Sequence, residues 1–301
     1  MGWMTRFLGT PSETCEAVSQ SAFSPFPEPL KGEGSSMDGS PIPPEPLATW
    51  VRRNQYVLPS RCDTVGLFDP TQSTLTIRDP DSGQTAQSLH WSGLSRAQLI
   101  SGDWTGRGRE GPGFFLPESS EFLLFQDYLA ESESCRFVFG QPEAGWIPLS
   151  GDWDGDGVDG VGLFHPVQHT LRILNPPWMG VAGHQYILRD SLDTAIPVSG
   201  DPLGRGRDTL GLFDGETQKF HIREALTIEP PDCFIQLSDV KAMGALPLLG
   251  DWLGLGFDSL AIYLPLNAEF QIFFGATLQK RFSFGEVGQA LVPVRLPWPL
   301  V

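Results

Sequence analysis

A Gly-Asp pair recurs at Gly102-Asp103, Gly151-Asp152, Gly200-Asp201 and Gly250-Asp251, in steps of 49, 49 and 50 residues. A fixed period of that length restricts the chain to repeat architectures: solenoids, propellers or arrays. A second marker follows each pair: "GFFLP" from Gly113, "GLFHP" from Gly162, "GLFDG" from Gly211 and "AIYLP" from Ala261. A fifth copy, "GLFDP" from Gly66, precedes them all. "DTVGLFD" (Asp63–Asp69) and "DTLGLFD" (Asp208–Asp214) differ at one position.

Each unit divides into four short segments. In the clearest copy they are "WIPLSGD" from Trp146, "GVGLFHP" from Gly160, "TLRILN" from Thr170 and "HQYILRD" from His184. All are rich in β-branched or aromatic residues and bounded by Gly, Pro, Asn or Asp, the pattern of strands between tight turns. The 34 Gly and 27 Pro among 301 residues, with 20 Phe and 9 Trp, agree with a turn-rich β protein. Four strands per 40–50 residues describe a propeller blade. The expectation is an all-β, five-bladed β-propeller with blades near 63–101, 102–150, 151–199, 200–249 and 250–301. The competing arrangement is an open stack of the same repeats.

The ends favour a ring. "ALVPVRLPW" (Ala290–Trp298) resembles "AIPVSGDPL" (Ala195–Leu203), as a first strand with no unit after it, and the first unit lacks a full "PLSGDW" segment before Asp63. The C-terminal strand is therefore expected beside Val65–Phe68, closing the ring and removing exposed sheet edges. "NQYVL" (Asn54–Leu58) resembles "HQYIL" (His184–Leu188) and is a candidate additional outer strand. The propeller is assigned to residues 49–301. Residues 1–48, rich in Pro, Ser, Gly and Glu, read as a disordered or loosely packed tail.

The stretch "PLSGDWDGDGVDGVGLFHP" with "LRILN" after it resembles the bacterial FG-GAP/VCBS-type repeats, which are related to the blades of integrin α-subunit propellers. The resemblance covers roughly Asp63 to Arg295. It implies a propeller with calcium held in inter-strand loops and an extracellular setting, and it implies no single activity. No signal peptide is visible: "MGWMTRFLGTPSETCEA" has no apolar core.

The acidic loop of the third blade supports an ion site from its own residues. Asp152, Asp154 and Asp156 occupy loop positions 1, 3 and 5, and Gly157 at position 6 permits a sharp turn. Val158 offers a backbone carbonyl at position 7 and Asp159 a fourth carboxylate at position 8. Six to eight hard oxygen ligands on a flexible loop suit Ca2+ better than Mg2+, which prefers fewer protein ligands. In integrin-type loops the last acid lies one residue later, so direct ligation by Asp159, ligation through water and capping of the turn all stay open. A solvated acidic turn is the bland alternative for the whole loop.

The sister loops read "DWTGRGRE" from Asp103, "DPLGRGRD" from Asp201 and "DWLGLGFD" from Asp251. Position 1 stays Asp, positions 4 and 6 stay Gly and position 8 stays acidic, but the acids at positions 3 and 5 are gone. These loops are expected to be metal-free. Arg107 and Arg205 stand where Asp156 stands, and each guanidinium is expected either to bridge the two remaining carboxylates in place of an ion or to lie exposed. Trp104, Trp153 and Trp252 at position 2 either contact a ligand or pack between blades.

Twenty Lys+Arg against 36 Asp+Glu give a net charge of −16, the wrong sign for nucleic acid or an anionic membrane surface. No apolar run reaches the roughly 18–20 residues that span a bilayer. Cys15, Cys62, Cys135 and Cys233 form no CxxC pair, leaving unpaired thiols or a Cys135–Cys233 bridge. No nucleophile, zinc or nucleotide motif is present. The expected function is a non-enzymatic, calcium-stabilised monomer that binds glycans or proteins. A scaffold module is the alternative, and a glycosidase-like propeller a more distant one.

Overall fold

The computed structural model describes residues 62–129, 133, 135–175, 183–188, 194–223, 233–237, 244–287 and 289–299. The N-terminal tail and the candidate strand at Asn54–Leu58 lie outside the described residues.

Blade 1 begins with β1 (Thr64–Asp69), β2 (Thr74–Arg78) and β3 (Thr85–His90). Blade 2 is β4 (Gln98–Gly102), β5 (Gly111–Leu116), β6 (Glu121–Leu124) and β7 (Cys135–Val138). Blade 3 is β8 (Ile147–Gly151), β9 (Gly160–His165), β10 (Thr170–Leu174) and β11 (His184–Ile187). Blade 4 is β12 (Ile196–Gly200), β13 (Thr209–Asp214), β14 (Lys219–Ile222) and β15 (Cys233–Gln236). Blade 5 is β16 (Leu246–Gly250), β17 (Ser259–Leu264), β18 (Glu269–Phe274) and β19 (Thr277–Ser283). The final strand, β20 (Val292–Leu296), joins the first sheet in the order β20-β1-β2-β3.

Among the described residues the protein is thus all-β, five antiparallel four-stranded sheets. The expected closure is present, with Val65 opposite Arg295 and Leu67 opposite Pro293. The inner strands touch in a ring: β4 with β8, β8 with β12, β12 with β16, β16 with β20 and β20 with β4. Blade 1 takes its outer strand from Thr85–His90, a polar segment, largely exposed, without the apolar alternation that marks a strand in sequence.

The core lies between blades. Each of five buried clusters draws on two neighbours: Phe68 and Leu296 of blade 1 meet Phe114 of blade 2, Phe122 of blade 2 meets Leu163 of blade 3, and the pattern continues round to Val65 and Tyr263. This is why the second strands read as unbroken apolar runs: both faces are covered. β1, β5, β9, β13 and β17 are buried along nearly their whole length. The inner strands are sheet edges, so Pro148, Pro197, Pro247 and Pro293 sit there without breaking a ladder.

The glycines of the two repeat markers make room for tryptophan. A Cβ on Gly102 would lie 2.8 Å from the Trp104 ring, and one on Gly113 would also lie 2.8 Å from it. Positions 4 and 6 of the loops have positive φ in all four copies, 64° and 70° at Gly106 and Gly108, 81° and 84° at Gly155 and Gly157. Positive φ also occurs at Ser73, Ser120, His169, Gln218 and Ala268, the same hairpin position in each of the five blades, which no glycine marks in sequence.

Cys62 is a free thiol and Cys135 is disulfide-bonded. The Cys233 side chain, the other half of the expected bridge, lies outside the described residues.

Leu296 in the closing strand is 0% exposed and lies against Gly66 of β1. Leu296→Ala is expected to cost about 3 kcal/mol by leaving a cavity at the closure, read as a lower denaturant midpoint with an unchanged slope.

Candidate functional site

The four long loops share one wiring. The position 1 aspartate folds back on its own loop: Asp152 accepts the amides of Gly155 (2.8 Å), Asp156 (3.0 Å) and Gly157 (2.9 Å). Asp103 accepts those of Thr105, Arg107 and Gly108. Asp201 accepts those of Arg205 and Gly206, and Asp251 those of Leu255 and Gly256. The glycine φ values turn these amides inward, and the carboxylate satisfies donors that a tight turn would otherwise strand.

The position 8 acid reaches the neighbouring blade. Asp159 accepts the Asp103 amide at 2.6 Å and returns its own amide to the Asp103 carbonyl at 3.0 Å. Asp208 does the same with Asp152 (2.9 and 2.7 Å), and Asp258 with Asp201 (2.8 and 3.0 Å). Asp63 pairs likewise with Asp251 (2.8 and 3.0 Å). Four of the five blade junctions are sealed by this reciprocal pair.

The fifth junction has to differ. The register of β20 on β1 places Pro297 where the other blades have the position 1 aspartate, and proline has no amide hydrogen to give Glu110. Arg295, at the position of Ser101, Ser150 and Ser199, supplies the donors instead. Its Nη2 bonds Glu110 Oε2 at 2.7 Å and its Nη1 bonds Asp63 Oδ2 at 3.3 Å. Glu110 also takes the Ser101 hydroxyl at 2.7 Å.

These five acids and Arg295 line a central channel of about 470 Å3. Burial, then the Glu110 charge, pushes Asp159 up to about 7. Burial pushes Asp258 up to about 6 against the pull of Arg295. Asp208 is held well above its ordinary value by burial and then by Asp159 and Asp258. Glu110, Asp63, Asp258 and Asp159 hold the Arg295 guanidinium above its ordinary value despite its burial.

The expected ion ligands separate in space. Carboxylate oxygens of Asp152, Asp154 and Asp156 lie within 4.8 Å of one another. Asp154 is raised by burial and then by the charges of Asp156 and Asp152. The Val158 amide donates to Asp156 at 2.8 Å, and its side chain packs toward Gly106 of the preceding loop. Asp159 does not join the group, because it is committed to the Asp103 amide and the channel. The sequence reading missed Asn175, at the end of "LRILN". Its side chain bonds Asp154, and its Oδ1 is a buried acceptor with no partner. Three carboxylates and a spare amide oxygen fit a hard, oxygen-seeking cation.

The other candidates resolve toward packing. Trp104, Trp153 and Trp252 are 2%, 7% and 7% exposed and belong to the inter-blade clusters, the packing alternative of the two that the sequence left open. Trp104 and Trp252 donate to the carbonyls of Gly111 (3.1 Å) and Ser259 (2.8 Å). Arg107 and Arg205 are exposed at the loop tips. Of the carboxylates beside them, Asp103 and Asp201 accept loop amides, Glu110 bonds Arg295 and Asp208 accepts the Asp152 amide.

No family model and no curated protein sequence matches the chain. Among solved structures it is similar to an Agrocybe aegerita lectin that recognises non-reducing terminal N-acetylglucosamine, at 11% identity and TM-score 0.42, over 75% of this chain and 63% of the lectin. It is also similar to a virginiamycin B lyase from Staphylococcus aureus (8% identity, TM-score 0.40, 76% and 73% covered) and to AztD from Citrobacter koseri (9%, 0.36, 79% and 98%). The chain thus spans less than two thirds of the lectin's length.

Two outcomes follow from the channel. Asp159, Asp208 and Asp258 bind protons more readily folded than unfolded, so their contribution to stability is full below about pH 4 and is lost as pH rises through the folded values, about 7 for Asp159 and about 6 for Asp258. Melting temperature should therefore fall as pH rises from about 4 to about 7. Asp208→Asn, which keeps the acceptor for Asp152 and drops the charge, should flatten that slope and raise the melting temperature by roughly 2–4 °C at about pH 8. Arg295→Met should cost about 3 kcal/mol, because it strands Glu110 and Asp63 beside each other, read by denaturant unfolding near neutral pH.

Proposed function

We propose that the chain is a divergent propeller of FG-GAP/VCBS type, a non-enzymatic binding module for glycans or proteins, stabilised by one Ca2+ on the loop of blade 3. The convergence of Asp152, Asp154 and Asp156 carries this reading. The sister loops form the same turn without acids at positions 3 and 5, so the fold does not require Asp154 and Asp156. Surplus carboxylates that repel each other at close range are explained by a cation. Asp152, Asp154, Asp156 and Asn175 would hold it, with water and loop carbonyls filling the remaining positions.

The binding role rests on architecture: a rigid ring that carries loops at both ends. A glycosidase would need a proton donor and a partner carboxylate in the channel, and Asp159, raised to about 7 beside Glu110, has the right chemistry. Asp159 nevertheless repeats as Asp208, Asp258 and Asp63, each holding a neighbouring blade, so its perturbed pKa has a structural cause.

Calcium at millimolar concentration should raise the melting temperature by several degrees, and chelator should reverse it. Asp154→Ala/Asp156→Ala should melt near the calcium-free parent and ignore the ion. A double variant that responds like the parent removes the metal assignment. A glycan array run with and without chelator separates binder from scaffold, and hydrolysis of a polysaccharide panel would restore the enzyme reading.

A further inference from the structure

A second pocket, of about 350 Å3, opens where blade 5 meets blade 1, and its lining includes Asp63, already bonded to Arg295 and the Asp251 amide, and Asp81. In a protein of net charge −16 it is lined by two cations, Arg78 of β2 and Lys280 of β19, with Phe282, Trp252 and Trp298 as aromatic walls. Both cations lie on one ring: the Arg78 guanidinium is 4.1 Å from the Phe282 centroid and the Lys280 ammonium 5.7 Å.

Arg78 is 8% exposed and pairs with no carboxylate among the described residues. Its Nη1 makes one long contact, 3.5 Å to the Pro80 carbonyl, and its Nε is buried without a partner. The neighbouring Asp79 spends its carboxylate on the amides of Asp81 and Ser82. A buried guanidinium without a close ion pair is costly, and burial lowers its pKa against the opposing pull of the Asp79 charge. The Nε edge is the side of the fork that grips a carboxylate in two parallel hydrogen bonds.

The remaining walls narrow the ligand. The volume exceeds what an inorganic anion needs and suits a single sugar ring. Asp81, exposed at the same pocket, offers an acceptor for a hydroxyl, and the aromatic walls offer a surface for the C–H face of a ring. We infer that this pocket binds an acidic sugar, a uronic acid, with its carboxylate on Arg78 and Lys280 and its ring against the aromatic wall. The inference rests on the glycan side of the binding reading and is independent of the ion loop.

Cys62, a free and partly exposed thiol in the same pocket, makes the test local. The full chain is alkylated with iodoacetamide, the peptide carrying Cys62 is followed by mass spectrometry, and D-glucuronate, D-glucose and sodium sulfate are titrated in turn. Glucuronate is expected to slow alkylation saturably, by about fivefold or more, while glucose and sulfate at the same concentration do not. Lys280→Met, on an exposed strand, should raise the half-protecting concentration about tenfold, and Arg78→Met should abolish protection. If Arg78→Met does not fold, Lys280→Met decides. Absent protection, equal protection by sulfate, protection unchanged in Lys280→Met, or a Cys62 already inert in the ligand-free protein would each overturn the proposal. Glycan-array binding that leaves Cys62 alkylation untouched keeps the binding module and removes this site from it.

Discussion

The ring depends on one exchanged pair of hydrogen bonds, a position 8 carboxylate on the amide of the preceding blade's position 1 aspartate and an amide returned to that aspartate's carbonyl. Apolar packing holds neighbouring blades together but is non-directional. The exchanged pair sets where along the junction each blade stops, because both bonds form only in one register. An ionised acceptor makes a stronger bond to an amide than a neutral one. Its drawback is a ring of like charges around the channel, which appears as the raised pKa values of Asp159, Asp208 and Asp258. Arg295 is the counterweight, and it stands at the junction where Pro297 leaves the amide out.

Each loop then divides its labour by position. Position 1 closes the loop on itself, positions 4 and 6 turn the amides toward it, and position 8 belongs to the next junction. Positions 3 and 5 carry none of these duties and vary, holding Thr/Arg, Asp/Asp, Leu/Arg and Leu/Leu across the four copies. A cation site can therefore be present in blade 3 and absent elsewhere without any change in the fold. Thr105, which adds its amide and hydroxyl to Asp103, shows the same freedom used for a plain turn.

The blades were legible because their signals are local: a marker with both faces buried, a glycine pair with positive φ, a period of 49 residues. The closing strand was legible for the same reason, as a copy of a first strand. What the sequence concealed depends on contacts between copies. Asp159 sits one residue from Val158 in the loop, yet its partner is Asp103, 56 residues away. Its role resembles ligation until the neighbouring blade is in place. Arg295 was hidden by alignment with serine, and Asn175 by lying on the adjacent strand's end rather than in the acidic loop. The tryptophans read equally well as stacking platforms or as plugs, since both uses want an aromatic at a fixed loop position; only burial separates them.

Irregularity in the repeat marks where chemistry can differ from scaffold. Four junctions are built alike, and a symmetric feature that serves every junction has little freedom to serve one ligand. Blade 1 is made from both ends of the described chain, with β20 supplied from one side and β1 to β3 from the other. Its junction with blade 2 has an arginine in place of an amide. Its junction with blade 5 holds a guanidinium unpaired among the described residues, an ammonium and a free thiol around one pocket. The acidic loop of blade 3 is the other departure from the pattern. Blade 3 gathers three carboxylates without a cation among the described residues, and the pocket between blades 5 and 1 buries a guanidinium that makes no close ion pair there. A charge that the fold itself leaves unbalanced is the strongest physical pointer to a ligand of opposite sign.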